Sequence, residues 1–185
     1  TIKQKVINGT NKKYDFYSYG QIIRNKVPQD LTDFYINHEG FVSHLDDELI
    51  EEDYDDIQEK KFSRVAQKGW LGIGDKYWIT SLIPPRNKEF KTTFDYKKKF
   101  RANFIATEPL TLNKNSSVEE EIKIIVAAKR VDVIDGYAQS LKIENFDLVI
   151  DFGILYWITK PLFFGIDYFF KLLGNYGLAI IAITI

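Results

Sequence analysis

The composition of the chain changes abruptly near residue 146, and this break limits the folds that are open to it. In residues 146–185, 27 of 40 side chains are hydrophobic and only five are charged. About a third of the preceding residues are charged, a share that suits a domain surrounded by water. We therefore expect a folded, water-exposed domain followed by a tail that prefers lipid.

The overall charge and the absence of cysteine exclude several classes of protein. The 25 basic and 26 acidic residues nearly cancel, which argues against a nucleic-acid partner because such proteins usually carry a basic excess. Without cysteine, disulfides, a thiolate nucleophile and zinc–cysteine sites are impossible. We expect no catalytic residues, no metal and no cofactor.

Strands dominate the predicted structure of the first 145 residues. In residues 90–106 every apolar aromatic side chain falls on an even position with charged residues between, which predicts an antiparallel strand pair or one long bent strand. Many short strands separated by turns are typical of a β-sandwich. Further strands are expected at residues 1–7, 14–23, 78–83 and 122–128, and a helix at residues 131–145.

Three polar or aromatic features favour structural interpretations over chemical ones. Residues 46–59 hold nine acidic side chains and no basic one, and we interpret them as a solvated excursion or loop rather than a partner-binding patch. His38 and His44 match no metal spacing such as H-E-x-x-H, so we expect surface or loop histidines. Trp70 and Trp78 are interpreted as core anchors.

Residues 155–173 predict an amphipathic helix with a narrow charged stripe. Lys160, Asp167 and Lys171 fall at i, i+7 and i+11 on one face, with Pro161 expected in the first turn. A narrow charged stripe beside a broad aromatic face is typical of a helix lying in the plane of a membrane interface. The residues assigned to that interface are Trp157, Lys160, Leu162, Phe163, Phe164, Ile166, Phe169, Phe170 and Lys171.

The last residues predict the start of a second apolar element. Residues 174–177 read as a turn by composition, and the 14 residues from Leu172 to the end carry no charge, fewer than the roughly 20 that a bilayer span needs. A buried strand or helix and a partial transmembrane helix are both compatible with an uncharged segment of this length. The start at Thr1 without methionine and the uncapped apolar end favour an internal fragment whose transmembrane helix opens with Tyr176, Leu178, Ile180 and Ile181.

Three short motifs in the tail resemble one known family. They are D-L-V-I-D-F-G at residues 147–153, W-I-T-K-P-L-F at 157–163 and G-N-Y-G-L-A-I-I at 174–181. In this order and spacing they resemble the YidC family of bacterial membrane protein insertases. The stretch from Gly69-Trp70 through Tyr77-Trp78 to Ile83-Pro84 is similar to a further family segment, so the resemblance covers residues 68–185 at least.

The resemblance implies an architecture and a location. Residues 1–145 would be the later part of a periplasmic β-super-sandwich with a closing helix at about 131–145. Residues 146–175 would be a linker and an interfacial helix, and residues 176–185 the start of a transmembrane helix. The expected location is the bacterial inner membrane, with the main domain in the periplasm.

The resemblance also implies a function without bond chemistry. Such insertases help inner-membrane proteins to insert and fold, alone or with the Sec translocon. The implied partners are nascent membrane proteins, the Sec translocon with its accessory subunits, and the lipid bilayer, with no nucleic acid. Two alternatives stay open: a periplasmic carbohydrate-binding or sugar-modifying β-sandwich with a membrane anchor, and a binding module whose tail only anchors it.

Overall fold

The computed structural model describes residues 1–29, 31, 38–151 and 156–184, so parts of the predicted linker (152–155) and the final residue lie outside it. The chain divides into two compact units. We call the described residues up to Ile150 the β unit and those from Asp151 onward the helical unit. The expected division at residues 145 and 175 stays a prediction.

Twelve strands and four α-helices occur in the described residues. The strands are β1 (Ile2–Ile7), β2 (Tyr14–Phe16), β3 (Tyr19–Arg24), β4 (Gly40–Leu45), β5 (Glu48–Glu52), β6 (Phe62–Ala66), β7 (Gly69–Gly74), β8 (Trp78–Ile83), β9 (Phe90–Tyr96), β10 (Phe100–Ala106), β11 (Leu110–Leu112) and β12 (Ser117–Ala128). The helices are α1 (Tyr54–Glu59), α2 (Val131–Leu141), α3 (Tyr156–Leu173) and α4 (Tyr176–Thr184), and a 3₁₀ helix occupies Phe146–Val149.

The strands of the β unit form antiparallel sheets. A six-stranded sheet has the order β1-β12-β8-β7-β4-β5, a four-stranded sheet has the order β3-β10-β9-β6, and β11 pairs with β2. All of the described strand pairs are antiparallel. The expected mainly antiparallel β fold with helices at its C-terminal end is confirmed.

The main core lies between the six-stranded and four-stranded sheets. Phe41, Leu71 and Leu82 of the larger sheet share one cluster with Phe94 and Phe104 of the smaller sheet. The alternation that predicted β9 and β10 explains this cluster, because successive side chains of a strand point to opposite faces and the even-numbered phenylalanines all face inward. The two sheets therefore form a sandwich.

A second core lies on the other face of the six-stranded sheet. Trp70 and Ile79 of the sheet pack there with Ile134 of α2 and Phe146 of the 3₁₀ helix. The rings of Trp70 and Phe146 meet edge to face, with centroids 5.3 Å apart. Because α2 and the 3₁₀ helix cover this face, the strands β4 and β7 are buried on both sides, and neither contains a Lys, Arg, Asp or Glu side chain.

Two predicted elements have different bounds in the structure. Residues 14–23 form β2 and β3, which belong to different sheets, instead of one strand. The predicted helix 131–145 ends at Leu141, because Lys142 adopts a left-handed conformation (φ 52°) and its N–H caps the helix on the carbonyls of Ala138 and Gln139.

The acidic segment 46–59 is not a loop, and that prediction was wrong. It contains β5 and α1, whose apolar residues Ile50, Tyr54 and Ile57 are buried in the main core. The acidic side chains are nearly all exposed, as expected. Three buried side chains among nine carboxylates are enough to attach the segment to the core. The many charged residues between them make their spacing difficult to recognise in the sequence.

Two other residue-level predictions also need correction. His44 is neither in a loop nor at the surface, because it lies in β4 and is only 5% exposed. Trp70 is fully buried as expected, but Trp78 at the start of β8 is 57% exposed.

Candidate membrane-interface site

Helix α3 carries most of the predicted interface residues and exposes large apolar side chains. Trp157, Tyr168 and Leu172 are 72%, 65% and 68% exposed. Pro161 lies inside the helix and not in its first described turn, where it was expected. A proline there removes one backbone hydrogen bond, because the residue has no N–H to donate.

The charged stripe of α3 contains the predicted ion pair. Lys171 Nζ lies 2.6 Å from Asp167 Oδ2, one helical turn away. Such i, i+4 pairs stabilise an isolated helix by about 0.2–0.5 kcal/mol. The two charges of this pair lie beside each other on one face of the helix. The other faces of the same turns carry mainly apolar residues.

Helix α4 follows α3 after a short connection. Gly174 has a positive φ of 66°, and its N–H donates to the carbonyl of Phe170 at the end of α3. The side chain of Asn175 then caps α4, because its Oδ1 accepts the backbone N–H of Leu178 at 3.2 Å. The predicted turn is therefore confirmed at residues 174 and 175, while Tyr176 and Gly177 already belong to the helix.

Three small or branched residues bring α3 and α4 close together, and sequence reasoning missed them. Ile183 of α4 packs so closely over Gly165 of α3 that a Cβ there would lie 2.2 Å from its Cδ1. Ala179 of α4 is fully buried. The rings of Phe170 and Tyr176 stack with centroids 3.9 Å apart. A small residue on each helix was the available signal, because close helix packing in apolar surroundings uses small residues.

The structure brings all the predicted interface and transmembrane-start residues together in this helix pair. Lys160, Ile166, Phe169 and Phe170 are half-buried, and the others are exposed. The exposed ones are Trp157, Leu162, Phe163, Phe164, Lys171, Tyr176, Leu178, Ile180 and Ile181. That these residues contact lipid stays a prediction.

Two kinds of feature are absent from the described residues. Within this part of the chain, no helix combines the length and the apolar character needed to cross a membrane. The same residues contain no group of three or more histidine, cysteine or carboxylate side chains that could hold a metal ion.

Comparison with known proteins places the chain in a family. The sequence profile of the YidC periplasmic domain matches residues 1–164. The Membrane protein insertase YidC of Pelagibacter ubique (strain HTCC1062) is 68% identical over 185 residues, which is 100% of this chain and 33% of that protein. The protein of the same name from Rickettsia prowazekii (strain Madrid E) is 36% identical over 193 aligned residues, again 100% of this chain and 34% of the relative.

The chain thus spans about a third of the length of the curated relatives that it matches. The profile covers the whole β unit and part of α3, and the two relatives align with the complete chain, including α4. The tail motifs, the antiparallel sandwich and these matches agree, and the chain belongs to the YidC periplasmic domain family.

Proposed function

We propose that this chain is a segment of a membrane protein insertase of the bacterial inner membrane, with the β unit in the periplasm. The name of the relatives and the family description support this assignment. The segment would contribute the later part of the periplasmic β-super-sandwich, the interfacial helix and the first turns of a transmembrane helix.

The helical unit would hold the β unit at the membrane surface. The observation that carries this role is the exposed apolar surface of α3, of which Trp157, Tyr168 and Leu172 are the most exposed members. Burying one such side chain in lipid is worth about 1.5–3 kcal/mol. Because tryptophan and tyrosine favour the headgroup level, the helix would lie along the interface rather than cross it.

The complete protein would lower the cost of moving polar segments of nascent membrane proteins through the bilayer. A charged side chain at the centre of a bilayer costs several kcal/mol, so a protein that lowers this cost speeds insertion without making or breaking bonds. It would act alone or together with the Sec translocon and its accessory subunits. No cofactor is needed for this role.

The anchoring role can be tested by flotation with liposomes. The variant Phe163→Asp with Phe164→Asp places two charges on the exposed apolar face of α3. We expect the wild-type chain to float with vesicles of phosphatidylethanolamine and phosphatidylglycerol, and the variant to lose most of this binding because the charges cannot enter the interface without a desolvation cost.

The matched control is Tyr17→Asp with Tyr77→Asp, which replaces two exposed aromatic residues of the β unit by the same charges. This control should float like the wild-type chain. Equal flotation of the α3 variant and the wild-type chain would exclude α3 as the anchor, whereas equal losses in both variants would assign the binding to general charge or apolar content.

A further inference from the structure

A pocket of about 400 Å³ opens at one end of the β unit. Its lining includes Gly69, Trp70, Ile83 and Pro84, all from the sequence stretch that resembles the family, and also His44. Pockets of this size bind small molecules in many proteins. The anchoring role proposed for the helical unit makes no use of this pocket.

The wall of the pocket contains a buried donor that has no acceptor. Trp70 is fully buried, and its indole Nε1 has no hydrogen-bond partner. An indole N–H can only donate, and leaving a buried donor unpaired is unfavourable. This group lies behind the accessible surface of the pocket, so a bound molecule would contact other residues first.

A histidine lies beside that donor. His44 is opposite Trp70 in the register of β4 and β7, so the two side chains share one face of the sheet. Its Nε2 lies 3.2 Å from Nδ2 of Asn145. Burial lowers the pKa of the His44 imidazole, so the ring is neutral at pH 7 and adds a polar group without charge to the pocket.

The charged residues that line the pocket are mostly cations. The lining contains three cationic side chains, Lys68, Arg86 and Lys142, and one carboxylate, that of Glu144. Lys68 is bound between Asp47 at 2.9 Å and Glu144 at 3.4 Å, and these hydrogen bonds raise the pKa of its amine. Within the described part of the chain, neither Arg86 nor Lys142 pairs with a carboxylate.

The guanidinium group of Arg86 is held in place. Its Nη2 donates to the carbonyl oxygens of Leu141 and Lys142, at 2.7 and 2.9 Å. These bonds fix Arg86 at the end of α2 without neutralising its charge. The lining also includes the apolar residues Ile83, Pro84 and Phe90 and the neutral polar residues Gln67 and Asn87.

We propose that this pocket binds a small organic acid. Its carboxylate would accept hydrogen bonds from Arg86 and Lys142, and its apolar body would lie against Ile83 and Pro84. Two cations without carboxylate partners beside an apolar wall select an anion with a hydrocarbon part over a neutral polar ligand. The acid group can come from a free fatty acid or from the C-terminal carboxylate of a peptide.

Calorimetric titration of the full 185-residue chain in detergent micelles tests the proposal. The probes are hexanoate and N-acetyl-Ala-Ala-Leu with a free carboxylate, and the controls are hexanamide and the amidated tripeptide. We expect at least one acid to bind about tenfold more tightly than its amide, because a hydrogen bond to a charged acceptor is roughly twice as strong as a neutral one. Tighter binding of hexanoate assigns the fatty-acid source, and tighter binding of the tripeptide assigns the peptide source.

Variants then locate the site. Arg86→Gln with Lys142→Gln should weaken binding of the acid about tenfold, because it removes both cationic donors. The matched control, Lys97→Gln with Lys99→Gln, removes the same charge from exposed positions in the turn between β9 and β10 and should bind like the wild-type chain.

Three results would overturn the proposal: no binding of either acid at millimolar concentration, amides that bind as tightly as the acids, or unchanged affinity in the Arg86→Gln with Lys142→Gln variant. Because Arg86 and Lys142 are exposed, we expect this variant to fold like the wild-type chain, so a change in affinity reports on the pocket.

Discussion

Gly69 shows how a single residue fixes the contact between two strands of the larger sheet. It opens β7 with a positive φ of 135°, a conformation that side chains rarely adopt. A Cβ at this position would lie 1.9 Å from the carbonyl oxygen of His44. Because that oxygen belongs to the backbone of β4, which pairs with β5 and β7 on its two sides, it cannot move aside without disturbing the sheet.

We therefore expect Gly69→Ala to lower the free energy of unfolding by about 3 kcal/mol, through backbone strain and the clash with His44. The matched control is Gly136→Ala in α2, where no atom lies within 4 Å of the added Cβ. That variant should gain up to about 1 kcal/mol, because alanine favours a helix more than glycine. Urea unfolding followed by circular dichroism measures both. Equal urea midpoints for the two variants would contradict this account and show that the backbone at Gly69 can shift to accept a Cβ.

Residue exposure was the hardest property to predict from the sequence, as the two tryptophans show. Trp70 and Trp78 occur in similar apolar strands, yet only Trp70 is buried. Val126 of β12 lies on the same sheet face as Trp78 and is also exposed, so the described residues leave this part of the face uncovered. Local alternation shows which residues share a face of a strand, but not which part of that face another sheet covers.

The elements of the β unit are connected by an ion pair that crosses between the sheets. Lys88, in the loop before β9, bonds to Glu120 of β12, whose side chain is only 9% exposed. Nearly buried carboxylates need a cationic partner, because water no longer stabilises their charge. The pair therefore links β12 of the six-stranded sheet to the loop that leads into β9 of the four-stranded sheet.

We expect Lys88→Met to destabilise the chain by about 2 kcal/mol, because it leaves the Glu120 carboxylate without its partner. Adding Glu120→Leu should recover most of the lost stability, since the unpaired charge is then removed. Lys3→Met is the control, because it breaks the pair between Lys3 and Glu121, where both side chains are exposed, and should cost less than about 0.5 kcal/mol. A double variant less stable than Lys88→Met alone would contradict this account. Thermal unfolding of the four chains provides the comparison.

Elements with a regular local pattern could be predicted, and those fixed by distant contacts could not. The hairpin of β9 and β10 and the strand β8 follow directly from the sequence. By contrast, β5 and α1 depend on three apolar residues that reach the core across a segment of high charge. In the helical unit, the helix that carries the predicted interface residues followed from helical spacing, and their contact with lipid stays a prediction. The contact of Gly165 with Ile183 joins two helices, and only a small residue on each helix indicates it in the sequence.

For the whole molecule, the division into two units separates the two hydrophobic cores from the helices to which we assign membrane attachment as a proposal. Both large hydrophobic clusters consist of residues up to Ile150. The helical unit has its own packing, built from Gly165, Ala179 and Ile183. The abrupt change in composition near residue 146 lies within a few residues of this structural division.

A chain that ends at Ile150 should therefore fold like the β unit of the full chain and lose its affinity for liposomes. The chain up to Ile150 contains every member of the two clusters, so we expect the same β-type circular dichroism spectrum. Its thermal midpoint should stay within about 4 °C of the full chain, which corresponds to a stability change of no more than about 1 kcal/mol for a domain of this size. Flotation should fall to the level of the Phe163→Asp with Phe164→Asp variant, because the truncated chain has no α3 and the variant carries two charges on the apolar face of that helix. A truncated chain that melts much earlier would show that the β unit depends on the helices for stability, and one that still floats would move the membrane contact into the β unit.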